Sequence, residues 1–224
     1  MSLFKKLGND DFIIETNKTC YDNLGELYTD GEHDLKVLME IGAWEDFLKN
    51  LSGKKVLNVG CGLGDASAEL ISHGYDVTNT DLSEKMVEAA QTRCPKAKNL
   101  VLSANETSKL KDVDFNGIMA IHLIQHLSKT LMLDFFKQIH EKLSERGVFF
   151  LVFTNTCYEK SGCQLDGSEV AGNKIFWHKW MLEDVVSLIV KASLKPIKMY
   201  QQKFIDKDGG YMEPFVLICK KDGN

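Results

Sequence analysis

Several features that define specialised protein classes are missing from this sequence. Three prolines in 224 residues leave no proline-rich linker, and no repeat or low-complexity segment interrupts the chain. No CxxC pair occurs among the six cysteines, so their spacing predicts no metal site, and we expect free thiols and a cytoplasmic location. The longest nearly uncharged apolar stretch, residues 147–156, is far shorter than the roughly 20 residues of a membrane helix. No membrane partner is expected.

Basic residues are also fewer than acidic residues. Lysine and arginine total 27 against 32 acidic residues, a net charge of −5, and no run of five or six like charges occurs. A nucleic-acid-binding protein needs a basic patch to neutralise phosphates, so this balance argues against a nucleic-acid partner. The hydrophobic share of 44% is typical of a soluble globular chain. Oligomeric state remains unknown at this point.

The apolar pattern divides the chain into two parts. Residues 12–50 repeat apolar side chains at helical spacing, which predicts two helices separated near residues 29–32. From Lys55 onward, short β-rich runs alternate with amphipathic stretches, as in βαβ units. We therefore predict an N-terminal helical cap or lid, 1–51, and an α/β domain, 52–224. Seven strands are predicted, at residues 56–59, 76–80, 99–103, 117–121, 148–153, 196–204 and 211–219, and the last two should form an antiparallel hairpin.

A glycine-rich loop carries the first functional signal. Gly60-Cys61-Gly62-Leu63-Gly64 follows the first strand and leads into a helix beginning near Asp65. Glycines there let the backbone turn sharply and approach a ligand closely. A dinucleotide-binding fingerprint needs another glycine where Asp65 stands, which disfavours a nicotinamide-dependent reductase.

Asp81 provides a second signal, 21 residues after Gly60 and at the end of the second strand. A carboxylate at this position can accept hydrogen bonds from both hydroxyls of a ribose lying across the strand ends. The alternative is that Asp81 caps the helix predicted over residues 83–93. Loop and carboxylate together are more specific than either alone.

These residues, with Asp81-Leu82-Ser83-Glu84-Lys85-Met86 and the segments 115–127 and 143–147, resemble the class I S-adenosylmethionine-dependent methyltransferases of small-molecule type. The resemblance covers most of residues 52–220. It implies an α/β, Rossmann-like, seven-stranded and mostly parallel sheet of order 3-2-1-4-5-7-6, with strand 7 antiparallel and helices on both faces. It also implies S-adenosyl-L-methionine as cofactor, S-adenosyl-L-homocysteine as product, and in-line methyl transfer to a small-molecule acceptor.

The resemblance further implies a set of cofactor-binding residues. The glycine loop would wrap the methionine and ribose parts, and Asp81 would bind the ribose hydroxyls. Three positions depart from the family, which usually has acidic residues where Asn58, Ala104 and Asn116 stand. The full set is Tyr21, Tyr28, Asn58, Gly60, Cys61, Gly62, Gly64, Asp81, Leu82, Met86, Ala104, Asn105, Glu106, Ile121 and His122.

The acceptor side is less defined by the sequence. His122 is the candidate catalytic residue, as a base for a hydroxyl or amine acceptor, with a pocket-wall role as the alternative. The insertion at 154–180 is expected to form a wall or lid of the acceptor site, or else a surface loop. Four further residues are candidate pocket residues: His126, Tyr158, Trp177 and His178. The alternative function is a non-catalytic S-adenosylmethionine-binding or regulatory protein on the same fold.

Overall fold

The computed structural model describes residues 9–25, 30–155, 162–164, 169–170, 172–201, 204–205 and 211–222. The helices in these ranges are α1 (Asp10–Leu24), α2 (Asp30–Glu40), α3 (Ala43–Asn50), α4 (Asp65–Ser72), α5 (Glu84–Arg93), α6 (Lys129–Lys142) and α7 (Leu182–Lys191). The strands are β1 (Lys55–Val59), β2 (Asp76–Asp81), β3 (Lys98–Val101), β4 (Phe115–Ile121), β5 (Leu143–Asn155), β6 (Gly162–Gln164), β7 (Glu169–Val170), β8 (Asn173–Lys174), β9 (Trp177–Lys179), β10 (Leu194–Gln201), β11 (Phe204–Ile205) and β12 (Tyr211–Lys221). Short 3₁₀ helices follow β3 and β4, at Ala104–Lys109 and Ile124–His126.

The main sheet has the strand order predicted from the sequence. Its strands lie in the order β10-β12-β5-β4-β1-β2-β3, and β11 pairs with β12 beside this path. The five strands from β1 to β5 are parallel, whereas β12 runs antiparallel to both β5 and β10. Counted along the path alone, this is the order 3-2-1-4-5-7-6, so the prediction is confirmed.

Helices cover both faces of the sheet, and neighbouring residues of β5 show how. Phe149 packs against Phe135 and Phe136 of α6 on one face. Phe150, the next residue, packs against Phe47 of α3 on the other face, with ring centroids 4.8 Å apart. Side chains alternate along a strand, so a strand buried on both faces is apolar at successive positions. The sheet is therefore the middle layer of three.

The N-terminal part contains one helix more than the sequence analysis predicted. Residues 30–50 form two helices, α2 and α3, because Gly42 adopts a left-handed conformation with φ of 74° and its N–H bonds to the carbonyl oxygen of Met39. The apolar repeat continues across this break, so periodicity alone did not show it. The predicted separation near residues 29–32 agrees with α2 beginning at Asp30.

The insertion after β5 returns to the body of the protein at its end. Within its described residues, β6 pairs with β9 and β7 with β8. Ile175 is buried against Cys20 and Leu24 of α1, and Phe176 packs against Ile13 of the same helix. The predicted site residues Tyr28 and Tyr158 lie outside the described residues. In the described part of the chain, no helix combines the length and apolarity of a membrane span.

Candidate functional site

The glycine loop connects β1 to α4 and is fixed to the neighbouring strand by its backbone. The N–H groups of Gly60 and Cys61 both donate to the carbonyl oxygen of Thr80 on β2, at 2.8 and 3.0 Å. The N–H of Gly62 donates to Oδ2 of Asp81 at 2.9 Å. Gly60 has a φ of 68°, which only glycine adopts readily. The two sequence signals, loop and carboxylate, are therefore one hydrogen-bonded unit.

Gly64 has a packing role. Its φ is 88°, and a Cβ atom on it would lie 2.9 Å from Sγ of Cys94 at the end of α5. It does not line the cavities described below. The structure thus places Gly64 where the loop passes α5, rather than on the ligand side.

A first cavity, called here the main cavity, opens at the carboxyl ends of β1, β2 and β4. It holds about 710 Å³ of space between atoms, part of which is open solvent. α1 and the turn after β3 form its remaining sides. The predicted residues that line it are Tyr21, Gly60, Gly62, Asp81, Leu82, Met86, Ala104, Ile121, His122 and His126.

A second cavity, the loop cavity, lies on the other side of the glycine loop. Asn58, Cys61 and Asp65 line it, and it shares Gly60, Gly62 and Ile121 with the main cavity. Burial raises the pKa of the Cys61 thiol well above its usual value, which argues against this residue as a nucleophile. The two cavities together form a curved site around the loop.

Asn58 is held from beneath this site by a buried chain of polar side chains. Its Nδ2 donates to Oγ of Ser67 at 2.9 Å, and that hydroxyl donates to Oδ1 of Asn79 at 2.6 Å. The side chain is thereby oriented while Asn58 still lines the loop cavity. An uncharged amide fits this buried position without the desolvation penalty of a carboxylate.

Asp81 is positioned by three backbone amides. Besides the bond from Gly62, Oδ1 accepts from the N–H of Ser83 at 3.0 Å, and the amide of Leu82 also favours the charged form. Burial nevertheless raises the pKa of the Asp81 carboxyl above its usual range. Ser83, rather than Asp81, is the N-cap of α5, since its Oγ accepts from the N–H of Met86. The helix-cap alternative for Asp81 is therefore wrong.

His126 ties three separated segments together. Its Nδ1 lies 3.0 Å from the carbonyl oxygen of Phe176, and its Nε2 lies 2.8 Å from the hydroxyl of Tyr21. Because a carbonyl oxygen only accepts, Nδ1 carries the proton and Nε2 accepts from Tyr21. Burial lowers the pKa of His126 to about 4. The neutral imidazole thus joins α1, the turn after β4 and the end of the insertion over the main cavity.

His122 stands at the mouth of the site in an unusual backbone conformation. Its φ is 51°, rare for a residue with a side chain, and its N–H donates to the carbonyl oxygen of Val152 at 2.9 Å. Nδ1 lies 3.2 Å from Nε2 of Gln125 and 3.4 Å from Oγ1 of Thr154. Nε2 lies 3.6 Å from Oδ1 of Asp34. Strained backbone of this kind is concentrated at functional sites.

Some predicted residues lie away from the cavities. Asn105 accepts a hydrogen bond from Ser103, and Glu106 pairs with Lys109. His178 stacks on Trp180 with ring centroids 3.7 Å apart, and burial lowers its pKa to about 4. The rings of Trp177 and His126 pack edge to face with their centroids 5.3 Å apart, and Trp177 does not line the main cavity.

Other site residues were not predicted. Asp34 lines the loop cavity and faces His122. Asn17 lines the main cavity, where its amide accepts from the N–H of Phe176 and donates to the carbonyl oxygen of His126. Asn17 lies on α1 and Asp34 on α2, both far from the glycine loop in the sequence, so sequence spacing did not predict that they contact the site. Their only signal was a polar residue within an apolar helical repeat.

The sequence matches a known family over part of its length. Residues 56–147 match a family model described as a methyltransferase domain. A ubiquinone biosynthesis O-methyltransferase of Dechloromonas aromatica is 30% identical over 126 residues, which cover 51% of this chain and 54% of that protein. The chain thus spans about half the length of this curated relative.

Solved structures match the fold over most of the chain. A magnesium protoporphyrin IX methyltransferase of Synechocystis with bound S-adenosylhomocysteine aligns with a TM-score of 0.66 at 17% identity, covering 95% of this chain and all of that one (100%). The 1,6-didemethyltoxoflavin-N1-methyltransferase of Burkholderia thailandensis, with both 1,6-didemethyltoxoflavin and S-adenosylhomocysteine bound, aligns with a TM-score of 0.61 at 18% identity and covers 89% of this chain and 88% of that chain.

Proposed function

We propose that this chain, which has the fold of the class I S-adenosylmethionine-dependent methyltransferases, binds S-adenosylmethionine and transfers its methyl group to a small molecule. The observation that carries the proposal is the unit formed by the glycine loop and Asp81, with a cavity on either side of the loop. Such a site at the carboxyl ends of parallel strands is where open α/β sheets bind ligands.

The residues of the two cavities fit the parts of this cofactor. The carboxylate of Asp81 lines the main cavity and has acceptor capacity beyond its bonds to backbone amides, which suits ribose hydroxyls. Leu82, Met86 and Ala104 offer apolar surface for an adenine. In the loop cavity, the Asn58 amide suits the polar end of a methionine group.

S-adenosylmethionine supplies a methyl group already activated by its sulfonium sulfur, so the chain has mainly to orient the acceptor and exclude water. His122, at the junction of strand β4 and the cavities, is placed to accept a proton from the acceptor. Tyr21 and His126 close the main cavity from the side of α1. We assign these roles from the positions of the three side chains in the site.

The acceptor class is supported by two considerations. The acidic charge balance argues against a polynucleotide acceptor, which a basic surface would have to bind. Among the similar proteins, one is described as an O-methyltransferase of ubiquinone biosynthesis and another binds 1,6-didemethyltoxoflavin. Both descriptions point to small organic acceptors, and we extend that class, but neither acceptor, to this chain.

The proposal is tested by incubating the purified chain with a metabolite extract and S-adenosylmethionine carrying a trideuterated methyl group. Mass spectrometry should find a product that contains the labelled methyl. Asp81→Ala should lower the yield of this product at S-adenosylmethionine concentrations that do not saturate the variant, whereas Asp76→Ala, at the exposed opposite end of β2, should not. Binding of S-adenosylhomocysteine without any labelled product would instead support the non-catalytic alternative.

A further inference from the structure

A third cavity, the apolar cavity, adjoins His122 on the far side from the adenine-binding region. It comprises about 400 Å³ of space between atoms, part of which is open solvent, and lies between α2 and the strands β5 and β12. Asp34 links it to the loop cavity and His122 links it to the main cavity. It therefore meets the other two cavities where the reactive end of the cofactor is expected.

We propose that the apolar cavity is the acceptor site and that Asp34 and His122 select an uncharged, largely apolar molecule that presents one hydroxyl group. The inference rests on the proposed function, because an acceptor site requires a methyl donor beside it. It also moves the acceptor wall from the insertion at 154–180, where the sequence analysis placed it, to α2, β5 and β12.

The walls determine the first part of this specificity. Apart from Asp34 and His122, the described residues that line the apolar cavity are all aliphatic: Val37, Leu38, Ile41, Val152, Pro214 and Val216. An apolar ring or chain gains free energy by leaving water for such a surface. A strongly polar molecule would lose its hydration without compensating hydrogen bonds.

Charge determines the second part. Among the described residues that line the apolar cavity there is no lysine or arginine, so a carboxylate or phosphate on the acceptor would lie beside Asp34 without a basic side chain of that kind. Like charges at short range in a partly desolvated site repel. An ammonium group would be attracted to Asp34, but its nitrogen lone pair is bonded to a proton and is not nucleophilic. An uncharged hydroxyl is not repelled by Asp34 and keeps a nucleophilic lone pair.

The geometry of the polar corner suits a hydroxyl. Oδ1 of Asp34 and Nε2 of His122 are 3.6 Å apart, too far for a good direct hydrogen bond, and a hydroxyl at about 2.8 Å from Nε2 can donate its one proton to that nitrogen. The carboxylate of Asp34 only accepts hydrogen bonds, so the hydroxyl oxygen does not pair with it. The hydroxyl proton can pass to Nε2 of His122, leaving the electron pair of the O–H bond on the oxygen. Asp34 then faces the resulting imidazolium, which it stabilises.

His122 can hold the tautomer that this step needs. If Nδ1 carries the proton, Nε2 is free to accept one, and Nδ1–H then needs an acceptor. Oγ1 of Thr154 lies 3.4 Å away. Oε1 of Gln125 is buried with no hydrogen-bond partner among the described residues, and a half-turn of this amide brings it onto Nδ1 in place of Nε2.

The test measures binding rather than turnover, with 4-methylphenol and 4-methylbenzoate as probes that share a methylphenyl ring and differ in their polar group. Each is added to the chain saturated with S-adenosylhomocysteine, and ligand-observed NMR measures its affinity. We expect 4-methylphenol to bind at least tenfold more tightly than 4-methylbenzoate. Equal affinities, or no binding of 4-methylphenol to the saturated chain, would overturn the inference.

Two sets of variants locate the probe and identify the selecting residue. Val37→Trp should fill the cavity and weaken 4-methylphenol binding at least tenfold, and Ile41→Trp fills it from the adjoining turn if the first variant does not fold. Val190→Trp, on the exposed side of α7, is the matched control. Asp34→Asn should reduce the preference for 4-methylphenol at least fivefold, a change in selectivity that a purely structural role would not produce.

The readouts separate this inference from the proposed function. Calorimetry should show that Val37→Trp and Val190→Trp bind S-adenosylhomocysteine as the unchanged chain does. Unchanged 4-methylphenol affinity in folded Val37→Trp, or unchanged selectivity in Asp34→Asn, contradicts the acceptor site alone. Failure of the unchanged chain to bind S-adenosylhomocysteine contradicts the proposed function itself.

Discussion

The buried imidazole of His126 should make the stability of the protein depend on pH. In the folded chain its pKa is lowered from the usual 6.5 to about 4, mainly by burial. Between these values the unfolded chain binds a proton that the folded chain excludes. The stabilisation is therefore fully present above pH 6.5 and is lost as the pH falls toward 4.

The magnitude follows from the size of this shift. Each pH unit between the two pKa values corresponds to about 1.4 kcal/mol per group, so lowering the pH from 7 to 4 should remove about 3 kcal/mol through His126 alone. His126→Asn keeps an N–H donor near the carbonyl oxygen of Phe176 but does not titrate. Between pH 7 and pH 4, the free energy of unfolding of this variant should therefore fall by about 3 kcal/mol less than that of the unchanged chain.

The assay is urea unfolding at pH 7, 6, 5 and 4, followed by circular dichroism. At pH 7 the variant should be less stable, since the hydroxyl of Tyr21 loses its acceptor. His73→Asn, at an exposed position on the surface, controls for the substitution. A pH dependence in His126→Asn equal to that of the unchanged chain would refute the assignment of His126 as a buried, neutral linking residue.

Three further predictions concern the site and its loop. Asp81→Ala should weaken S-adenosylhomocysteine binding about 10- to 150-fold, the equivalent of losing about 1.5–3 kcal/mol of charge-assisted hydrogen bonding, and calorimetry that gives an unchanged affinity would remove Asp81 from the site. Gly64→Ala should destabilise the protein by more than Gly74→Ala, because both glycines have positive φ but only the former would bring a Cβ to 2.9 Å from Cys94; equal urea midpoints would contradict the packing role. Tyr21→Phe should cost about 1–3 kcal/mol of stability by leaving Nε2 of His126 unsatisfied, and an unchanged midpoint would show that the bond to Tyr21 is not formed in solution.

The fold was predictable because its signals are local and periodic. The alternation of strands and helices predicted the α/β class, and the short connection before β12 predicted the antiparallel hairpin, whereas the full sheet order was implied by the family resemblance. The break at Gly42 was missed because the apolar repeat runs through it. A glycine between two helices has no apolar signature of its own, so only its left-handed backbone reveals the turn.

The residues of the candidate site that follow adjacent strands were predictable from the sequence, whereas the contact between an N-terminal helix and the end of β4 was not. Gly60, Gly62 and Asp81 follow strands that are adjacent in a parallel sheet, so their sequence positions imply proximity. The contact between Asp34 and His122 joins a helix before the sheet to the end of β4. Nothing in the spacing of those two residues encodes that contact, because it depends on how α2 packs.

The insertion is a second region whose contacts could not be predicted from its composition. Its aromatic residues favour a wall or lid of the acceptor site, which stays a prediction. Among its described residues, Phe176 packs on α1 and His178 stacks on Trp180. Aromatic composition indicates burial, but it does not specify which cavity is covered. Among the insertion's described residues, Phe176 reaches the site through its backbone, which bonds to His126 and Asn17.

The most direct test of the account is calorimetric titration of the purified chain with S-adenosylhomocysteine and S-adenosylmethionine. We expect saturable binding of both ligands to one site per chain, with mutual competition and a loss of affinity in Asp81→Ala but not in Asp76→Ala. Absence of binding to the folded chain at millimolar ligand would contradict it.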